Sequence, residues 1–194
     1  MPSQSKKQRM EGTDGDLVVA AKAGDADAFR ELVERHAGRV FQVAYRIAGN
    51  EQDAEDAVQE SFLRAYRQIG RFDGHSSFGT WLYRIAANCA LDAIRRRVRQ
   101  PVAESPARET ASGDPTPERS ALSGEIRERM ELALGELSLM ERAAFVLRHF
   151  EGMGIAEIGR ALGCEPGAAR HSVFRAVRKL RKALEPLAHG VNCK

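Results

Sequence analysis

The sequence has little of what would indicate a secreted, membrane-bound or disulfide-linked protein. Its 194 residues include only three cysteines, Cys89, Cys164 and Cys193, with no Cys-x-x-Cys pair, which argues against a disulfide framework and suits a reducing compartment. No apolar run approaches the roughly 20 residues of a membrane-spanning helix. Residues 1–15 also lack the apolar core of a signal peptide. We therefore expect a cytoplasmic protein without direct membrane contact.

Motifs of catalysis and metal binding are also missing. The five histidines, His36, His75, His149, His171 and His189, do not have the spacing of metal ligands. The chain contains neither a phosphate-binding glycine loop nor a nucleophile motif. The sequence therefore predicts no catalytic residue, no metal site and no cofactor, and it disfavours an enzyme.

The residues that are present indicate an all-α chain with two small domains. Aromatic residues make up only 6%, so the cores must consist mainly of Leu, Val, Ile and Ala. A helical pattern without alternating strands runs over residues 16–99 and resumes over 122–187. Residues 100–121 are rich in Pro, Ser, Thr, Gly and Ala and predict a flexible linker. Residues 1–15 are expected to be a disordered arm and residues 188–194 a tail, with Pro186 and Gly190 ending the last helix.

The C-terminal half contains a helix-turn-helix pattern. Ser138 and Glu141 form a capping box at the start of one helix. Apolar residues at helical spacing over 155–162 predict a second, short helix. Gly163 then supplies a turn and Pro166 begins a third, basic helix. A short helix, a glycine-containing turn and a basic helix together predict a DNA-binding helix-turn-helix.

The helix that begins at Pro166 is divided between an apolar stripe and a basic face. The stripe consists of Val173, Val177, Leu180 and Leu184. The opposite face carries His171, Arg175, Arg178 and Lys182, with Phe174 on its flank. Such a face fits a recognition helix in a major groove, where Lys and Arg neutralise phosphates and other side chains contact base edges. The alternative is a solvated basic face on an ordinary helical domain.

The segment from Glu51 to Glu60 holds five acidic residues and no basic one. Its helical layout places Asp53, Asp56, Glu60, Arg64 and Arg67 on one outer line. This line is either a solvated face with i,i+4 pairs such as Glu60–Arg64, or a docking surface for a basic partner. A di-metal carboxylate site is disfavoured because no Glu-x-x-His pair accompanies the acids.

A polar loop then leads into a cationic helix. The loop sequence GHSSFGT is followed by WLYRIAANCALDAIRRRVR, in which Trp81, Leu82, Ile85 and Cys89 are predicted to face inward. Arg84, Asn88, Leu91 and Arg95 form a neighbouring stripe. Arginines at a helix C-terminus are favoured by the helix dipole alone. The pairing of a cationic helix with a polar, aromatic-bearing loop also suits DNA whose bases are separated.

These segments, in this order, resemble the extracytoplasmic-function sigma factors of bacterial RNA polymerase. The resemblance covers about residues 16–99 and 122–187. AGDADAFRELVERHAGRVFQVAYRI is similar to the opening helices of that family, and DAEDAVQESFLRAYRQIGRFDG to its polymerase-clamp-binding helix. SSFGTWLYRIAANCALDAIRRR is similar to its −10 melting and recognition segment. The region from Leu137 to Leu184 is similar to its −35-recognising helix-turn-helix domain.

The resemblance implies a non-catalytic specificity subunit that binds core polymerase and promoter DNA, commonly under the control of an anti-sigma factor. The implied polymerase contacts are the β′ clamp coiled coil and the β flap. The residues implied to bind the coiled coil are Asp53, Asp56, Gln59 and Glu60. Those implied to bind the −10 element are His75, Ser76, Ser77, Phe78, Arg84, Asn88, Arg95 and Arg96. Those implied to bind the −35 element are Arg170, His171, Phe174, Arg175 and Arg178.

Two departures from the family pattern fall where sequence is recognised. The recognition helix begins with the unusual run GAAR followed by His171, and His75 stands in the −10 loop where small polar residues are common. These departures put the promoter sequence in doubt, and they leave the role unaffected. The competing hypothesis is a stand-alone helix-turn-helix regulator, which would bind duplex DNA without polymerase and which explains the acidic helix less well.

Overall fold

The computed structural model describes residues 12–99 and 129–190, with side chains up to residue 185. Its regular elements in these ranges are helices, so the predicted all-α class is confirmed there. The expected linker at 100–121, residues 1–11 of the expected arm and the last four residues lie outside the described residues. The helices are α1 (Asp14–Lys22), α2 (Ala26–Ala48), α3 (Glu51–Gln68) with a 3₁₀ turn (Ile69–Arg71), α4 (Phe78–Arg99), a helical segment at 129–135, α5 (Leu139–His149), α6 (Ile155–Leu162) and α7 (Pro166–Gly190).

Helix α1 begins at Asp14, inside the stretch that the sequence was expected to leave disordered. Thr13 caps it: the Asp16 amide donates to Thr13 Oγ1 at 3.4 Å, and the Thr13 amide donates to Asp16 Oδ2 at 3.0 Å. This reciprocal pair satisfies two amides that would otherwise be unpaired at the helix start. Asp14 Oδ2 also lies 2.8 Å from His36 Nε2 on α2. The boundary predicted at residue 15 is therefore two residues too late.

Alanine builds the core of the N-terminal unit, where α2, α3 and α4 pack on one another. The fully buried alanines are Ala44, Ala54, Ala57, Ala65, Ala86, Ala87 and Ala90. Small side chains allow close helix approach, which explains how a chain poor in aromatic residues fills its interior. Ser61 is buried among them, and its hydroxyl donates to the Ala57 carbonyl. Cys89 is buried as predicted, and burial raises the pKa of its thiol.

The C-terminal unit contains the predicted helix-turn-helix. Ser138 and Glu141 form the expected capping box of α5. Gly163 ends α6 in the left-handed conformation with φ +64°, and α7 begins at Pro166. The turn is so tight that a Cβ at Gly159 would meet the Cys164 carbonyl oxygen at 2.8 Å, so only glycine fits there. Helix α7 continues through Pro186 and has Gly190 as its last residue, three residues beyond the predicted domain end at residue 187.

The two units pack directly against each other. One continuous apolar cluster includes Leu82 and Leu91 of the N-terminal unit together with Leu147 and Ile158 of the C-terminal unit. Helix α5 lies against α2 and α4, and α6 lies against α4. The described residues therefore form a closed arrangement, which the sequence, with its predicted flexible linker, did not indicate.

Candidate nucleic-acid and partner surfaces

The outer face of α3 carries part of the predicted acidic surface. Asp56 and Gln59 are exposed, and Glu60 is half-buried. Glu60 Oε1 accepts a hydrogen bond from Arg64 Nε at 2.6 Å, which is the i,i+4 pair that the sequence predicted. Arg64 Nη1 also lies 3.3 Å from Asp92 Oδ2 on α4, so this pair joins the two helices. The hydrogen bond to Glu60 raises the pKa of Arg64.

Asp53 does not lie on this outer face, and the prediction that it does is wrong. Its exposed fraction is 9%, and its Oδ2 lies 2.8 Å from Arg97 Nη1 at the end of α4. Asn50 caps α3 and donates from Nδ2 to the same oxygen at 2.9 Å. The carboxylate is thus held between the helix start and the last turn of α4. Helical spacing alone could not reveal this position, because it does not say where a distant helix ends.

Two large apolar residues complete the surface that faces outward from α3, and the sequence analysis missed them. Leu63 and Tyr66 are 51% and 56% exposed. They lie on the same side of the helix as Asp56 and Gln59, about half a turn from the buried alanines. The Tyr66 ring also contacts Phe29 edge to face, with centroids 5.0 Å apart. The sequence could have revealed this surface, because Leu63 and Tyr66 are large apolar residues that lie outside the predicted buried stripe of the helix.

The loop before α4 presents polar groups, whereas its aromatic residue is buried. His75 and Ser77 are exposed and Ser76 is half-buried. The His75 amide donates to Asp73 Oδ1 at 3.0 Å, which lowers the pKa of Asp73. Ser77 Oγ accepts from the Thr80 amide at 3.1 Å and so caps the start of α4.

Phe78 is not available as a loop aromatic, and its predicted place in an open base-binding loop is wrong. It is the first residue of α4 and only 4% exposed. Its ring packs against Phe72 and Trp81, with centroids 6.0 Å and 5.6 Å away. The aromatic cluster holds the loop against the helix, because the folded state is more stable with all three rings buried than with one ring exposed to solvent.

The predicted stripe on α4 is partly covered by the C-terminal unit. Asn88 Nδ2 donates to the Ala161 carbonyl of α6 at 2.8 Å and to the Arg84 carbonyl at 3.0 Å. Leu91 on the same stripe is only 2% exposed, and Arg84 is half-buried. The Asn88 amide is therefore occupied by the C-terminal unit in this arrangement, and its role toward DNA stays a prediction. Farther along α4, Arg95 and Arg96 remain exposed.

Helix α7 presents its whole predicted basic face to solvent. The exposed residues are Arg170, His171, Phe174, Arg175 and Arg178. Phe174 is 63% exposed, although it is a large apolar side chain. Behind this face Ala169 and Ala176 are fully buried, and Lys179 Nζ lies 2.7 Å from Glu141 Oε2 of α5. Packing behind the helix therefore leaves cationic and aromatic side chains pointing outward, an arrangement suited to a DNA groove.

Other kinds of site find no support among the described residues. Within residues 12–99 and 129–190 no group of three His, Cys, Asp or Glu side chains is placed to hold a metal ion. None of the helices that these residues form is long and apolar enough to cross a membrane.

Comparison with protein families matches both units. The family described as Sigma-70 region 2 matches residues 32–100, and the family described as Sigma-70, region 4 matches residues 127–180. These matches cover most of α2, α3 and α4 in the first case, and α5, α6 and most of α7 in the second.

Individual relatives match over nearly the full length. The chain is 36% identical over 183 residues to the RNA polymerase sigma-H factor of Pseudomonas aeruginosa, covering 90% of this chain and 95% of that protein. It is 32% identical over 179 residues to the extracytoplasmic-function sigma factor SigW of Bacillus subtilis, covering 88% and 96%. Among solved structures, CnrH in complex with the cytosolic domain of CnrY superposes with a TM-score of 0.63 at 29% identity, covering 89% of this chain and 97% of that one.

Proposed function

The chain belongs to the extracytoplasmic-function sigma factors, and from that premise we propose how its surfaces divide the work between core RNA polymerase and promoter DNA. As a sigma factor it is a non-catalytic specificity subunit that directs promoter recognition and transcription initiation. The observation that best supports the division is the separation of two outward faces. One is the acidic and apolar face of α3, and the other is the basic face of α7.

The first proposed role is docking of core polymerase on α3, with the β′ clamp coiled coil as the partner. Asp56 and Gln59 supply the polar contacts, and the exposed rings and methyls of Tyr66 and Leu63 supply the apolar ones. Mixed surfaces of this kind bind strongly when aromatic anchors are surrounded by charges that complement the partner. Glu60 takes part as the ion-pair partner of Arg64, and Asp53 acts indirectly by anchoring α4.

The second proposed role is binding of the −10 element by α4 and the loop before it. His75, Ser76 and Ser77 offer hydrogen-bonding groups beside the start of the helix, and Arg95 and Arg96 offer exposed charge for the backbone. Arg84 and Asn88 join this surface once α6 moves away. Phe78 contributes by supporting the loop from below, through its contacts with Phe72 and Trp81.

The third proposed role is binding of the −35 element by α7. Arg170, His171 and Arg175 lie in the first half of the exposed face, where a recognition helix contacts base edges. Arg178 follows one turn later and is suited to a phosphate. Phe174 is the natural apolar contact for a thymine methyl group.

The remaining assignments extend the family membership. We assign residues 14–99 to the polymerase and −10 unit, 122–190 to the −35 unit and 100–121 to the linker between them, and we place the protein in the cytoplasm. CnrH, which this chain resembles, was solved in complex with the cytosolic domain of another protein, CnrY. Members of the family are commonly controlled by an anti-sigma factor, and we extend that control to this chain. An anti-sigma protein is then its inhibitor, and the β flap is a second polymerase contact.

Binding of purified core polymerase tests the docking role. We expect Asp56→Lys to weaken binding of the tagged chain by tenfold or more, because it places a cation against a basic partner. Glu34→Lys on α2 is the matched control, since it makes the same charge change at an exposed position on another helix. Circular dichroism checks that both variants remain folded. Equal binding by wild type and Asp56→Lys would refute the assignment to α3.

A further inference from the structure

The contact between the two units contains polar bridges as well as apolar packing. Arg39 Nε on α2 lies 2.9 Å from Glu151 Oε2, and Arg39 Nη2 donates to the Phe150 carbonyl at 3.0 Å. The Glu151 side chain is only 2% exposed, so this carboxylate is desolvated and Arg39 is its counter-charge. Arg46 stacks on the Phe150 ring with its guanidinium 4.1 Å from the centroid. Both arginines lie on α2, and both contact the segment at Phe150 and Glu151 that follows α5.

Arg142 of α5 forms a second bridge. Its Nη1 donates to the Ile47 carbonyl at 3.1 Å and its Nη2 to the Gly135 carbonyl at 3.0 Å. The guanidinium thus caps the C-terminal ends of two helical segments, one in each unit, where the helix dipole favours a cation. Arg142 has no carboxylate partner in the described residues, and its buried Nε makes no hydrogen bond there. Burial and the nearby charge of Arg97 lower its pKa.

The closed contact treats the two DNA-binding faces differently. On α4 it occupies the Asn88 amide, and on the same stripe Arg84 is half-buried and Leu91 is buried. On α7 the predicted face stays exposed, with Phe174 63% accessible. The contact therefore covers α4 around Asn88, whereas Arg95 and Arg96 farther along α4 and the predicted −35 face of α7 stay exposed.

We propose that this closed contact is a self-inhibitory latch, in which the chain's own C-terminal unit covers the part of the −10 surface around Asn88 while leaving the −35 surface able to bind duplex DNA. The Arg39–Glu151 ion pair stabilises the latch electrostatically, and Arg142 stabilises it by donating to a helix-end carbonyl in each unit. The buried charge of Arg142 is only partly compensated, so the latch is weak enough to open when a better partner binds. This proposal rests on the face assignments of the proposed function for its DNA consequence, although the latch itself does not depend on them.

Hydrogen exchange on the full-length protein tests the latch directly. Arg39→Glu sets two carboxylates against each other at the contact, and we expect amide exchange in α6 to accelerate about fivefold or more through more frequent opening. Glu151→Arg should do the same. The charge swap Arg39→Glu/Glu151→Arg restores an ion pair of opposite direction and should return exchange toward the wild-type rate. Unchanged α6 exchange in both single variants would overturn the latch.

DNA binding without polymerase tests the selective blocking. The probes are a random-sequence single strand of about 15 nucleotides and a random-sequence duplex of about 20 base pairs, followed by fluorescence anisotropy at fixed salt. We expect Arg39→Glu and Glu151→Arg each to bind the single strand about fivefold more tightly than charge-matched controls, and to bind the duplex equally. The controls are Arg30→Glu and Glu34→Lys, which make the same charge changes at exposed sites on α2.

Arg39→Glu makes the chain more negative and Glu151→Arg makes it more positive. A change in net charge alone would therefore move DNA affinity in opposite directions in the two variants. A gain in single-strand binding seen in both variants supports blocking, whereas a gain only in the more positive one overturns it. Faster α6 exchange with no gain in single-strand binding in either variant also overturns the blocking. Failure of the proposed function is distinguishable from both, because it appears as absence of core-polymerase binding by wild type. The decisive pair of measurements is therefore α6 exchange and single-strand affinity, made on wild type, the two latch variants, their charge swap and the two control variants.

Discussion

Replacing Gly49 with alanine tests whether Arg142 caps the end of α2, through the free energy of unfolding. Gly49 follows α2 in the left-handed conformation, with φ +76°. A Cβ added there would lie 3.1 Å from Arg142 Nη1, the atom that donates to the Ile47 carbonyl. The substitution therefore has two separate effects. It strains the backbone, and it pushes the guanidinium away from the helix end that it caps.

The matched control is Gly74→Ala, because Gly74 has the same φ of +76° and a Cβ there would meet nothing within 4 Å. Left-handed backbone strain costs an alanine about 1–2 kcal/mol, and Gly74→Ala should lose that much stability alone. A hydrogen bond from a charged group contributes about 1.5–3 kcal/mol. Displacing the guanidinium by a few tenths of an ångström loses part of it, so we expect Gly49→Ala to cost about 1 kcal/mol more than its control.

The assay is urea unfolding of the four proteins in a double-mutant cycle. Wild type, Gly49→Ala, Arg142→Ala and the double variant give the coupling between the two positions. With Arg142 shortened to alanine, the extra cost at Gly49 should disappear and leave only the cost seen for Gly74→Ala. An equal loss for Gly49→Ala in both backgrounds would refute the reasoning that the guanidinium is held against this helix end.

Three further results are expected. Burial would raise the pKa of Glu141, but hydrogen bonds from Lys179 and the Ser138 amide outweigh burial and lower the pKa. The ionised Glu141 therefore stabilises the folded state by about 1 kcal/mol. This contribution is fully present above the ordinary glutamate pKa of about 4.3. It is lost as pH falls through the lowered folded value, so Glu141→Gln should flatten acid unfolding curves measured below pH 5. Asp53→Asn should destabilise the N-terminal unit in urea by about 1–2 kcal/mol, with core-polymerase affinity changed far less than by Asp56→Lys; equal losses of affinity would return Asp53 to the docking face. Phe174→Ala should leave the unfolding midpoint unchanged and reduce −35 duplex binding in anisotropy titrations, and a lowered midpoint would mean that the ring packs inside.

Local signals in the sequence were enough for the helix-turn-helix. The capping box of Ser138 and Glu141 acts within one helical turn. The end of α6 needs a left-handed residue, and Gly163 supplies it. The apolar stripe of α7 depends only on helical spacing. Each of these features is decided by residues a few positions apart. Such features can be derived from periodicity and capping rules, without knowing which helix packs on which.

Long-range contacts decided the features that helical spacing could not give. Asp53 is turned inward by Arg97 from the far end of α4, and Asn88 is occupied by a carbonyl of α6. Phe78 is buried by Phe72 and Trp81 because the loop folds back on the helix. Periodicity gives the faces of a helix, but it does not say which faces meet, and charged residues on an outer line can still lie against a neighbouring helix end.

The buried alanines behind α7 bear on how promoter preference diverges among related proteins. Ala169 and Ala176 carry the contact with the rest of the unit, while Arg170, Phe174 and Arg175 project from the same helix into solvent. Exposed positions of this kind usually change stability by no more than about 0.5 kcal/mol when they are substituted. Mutation can therefore replace the side chains that we propose to contact bases, one at a time, with little loss of stability. The same alanines resist enlargement, so a lineage can acquire new binding sequences while keeping the position of the helix.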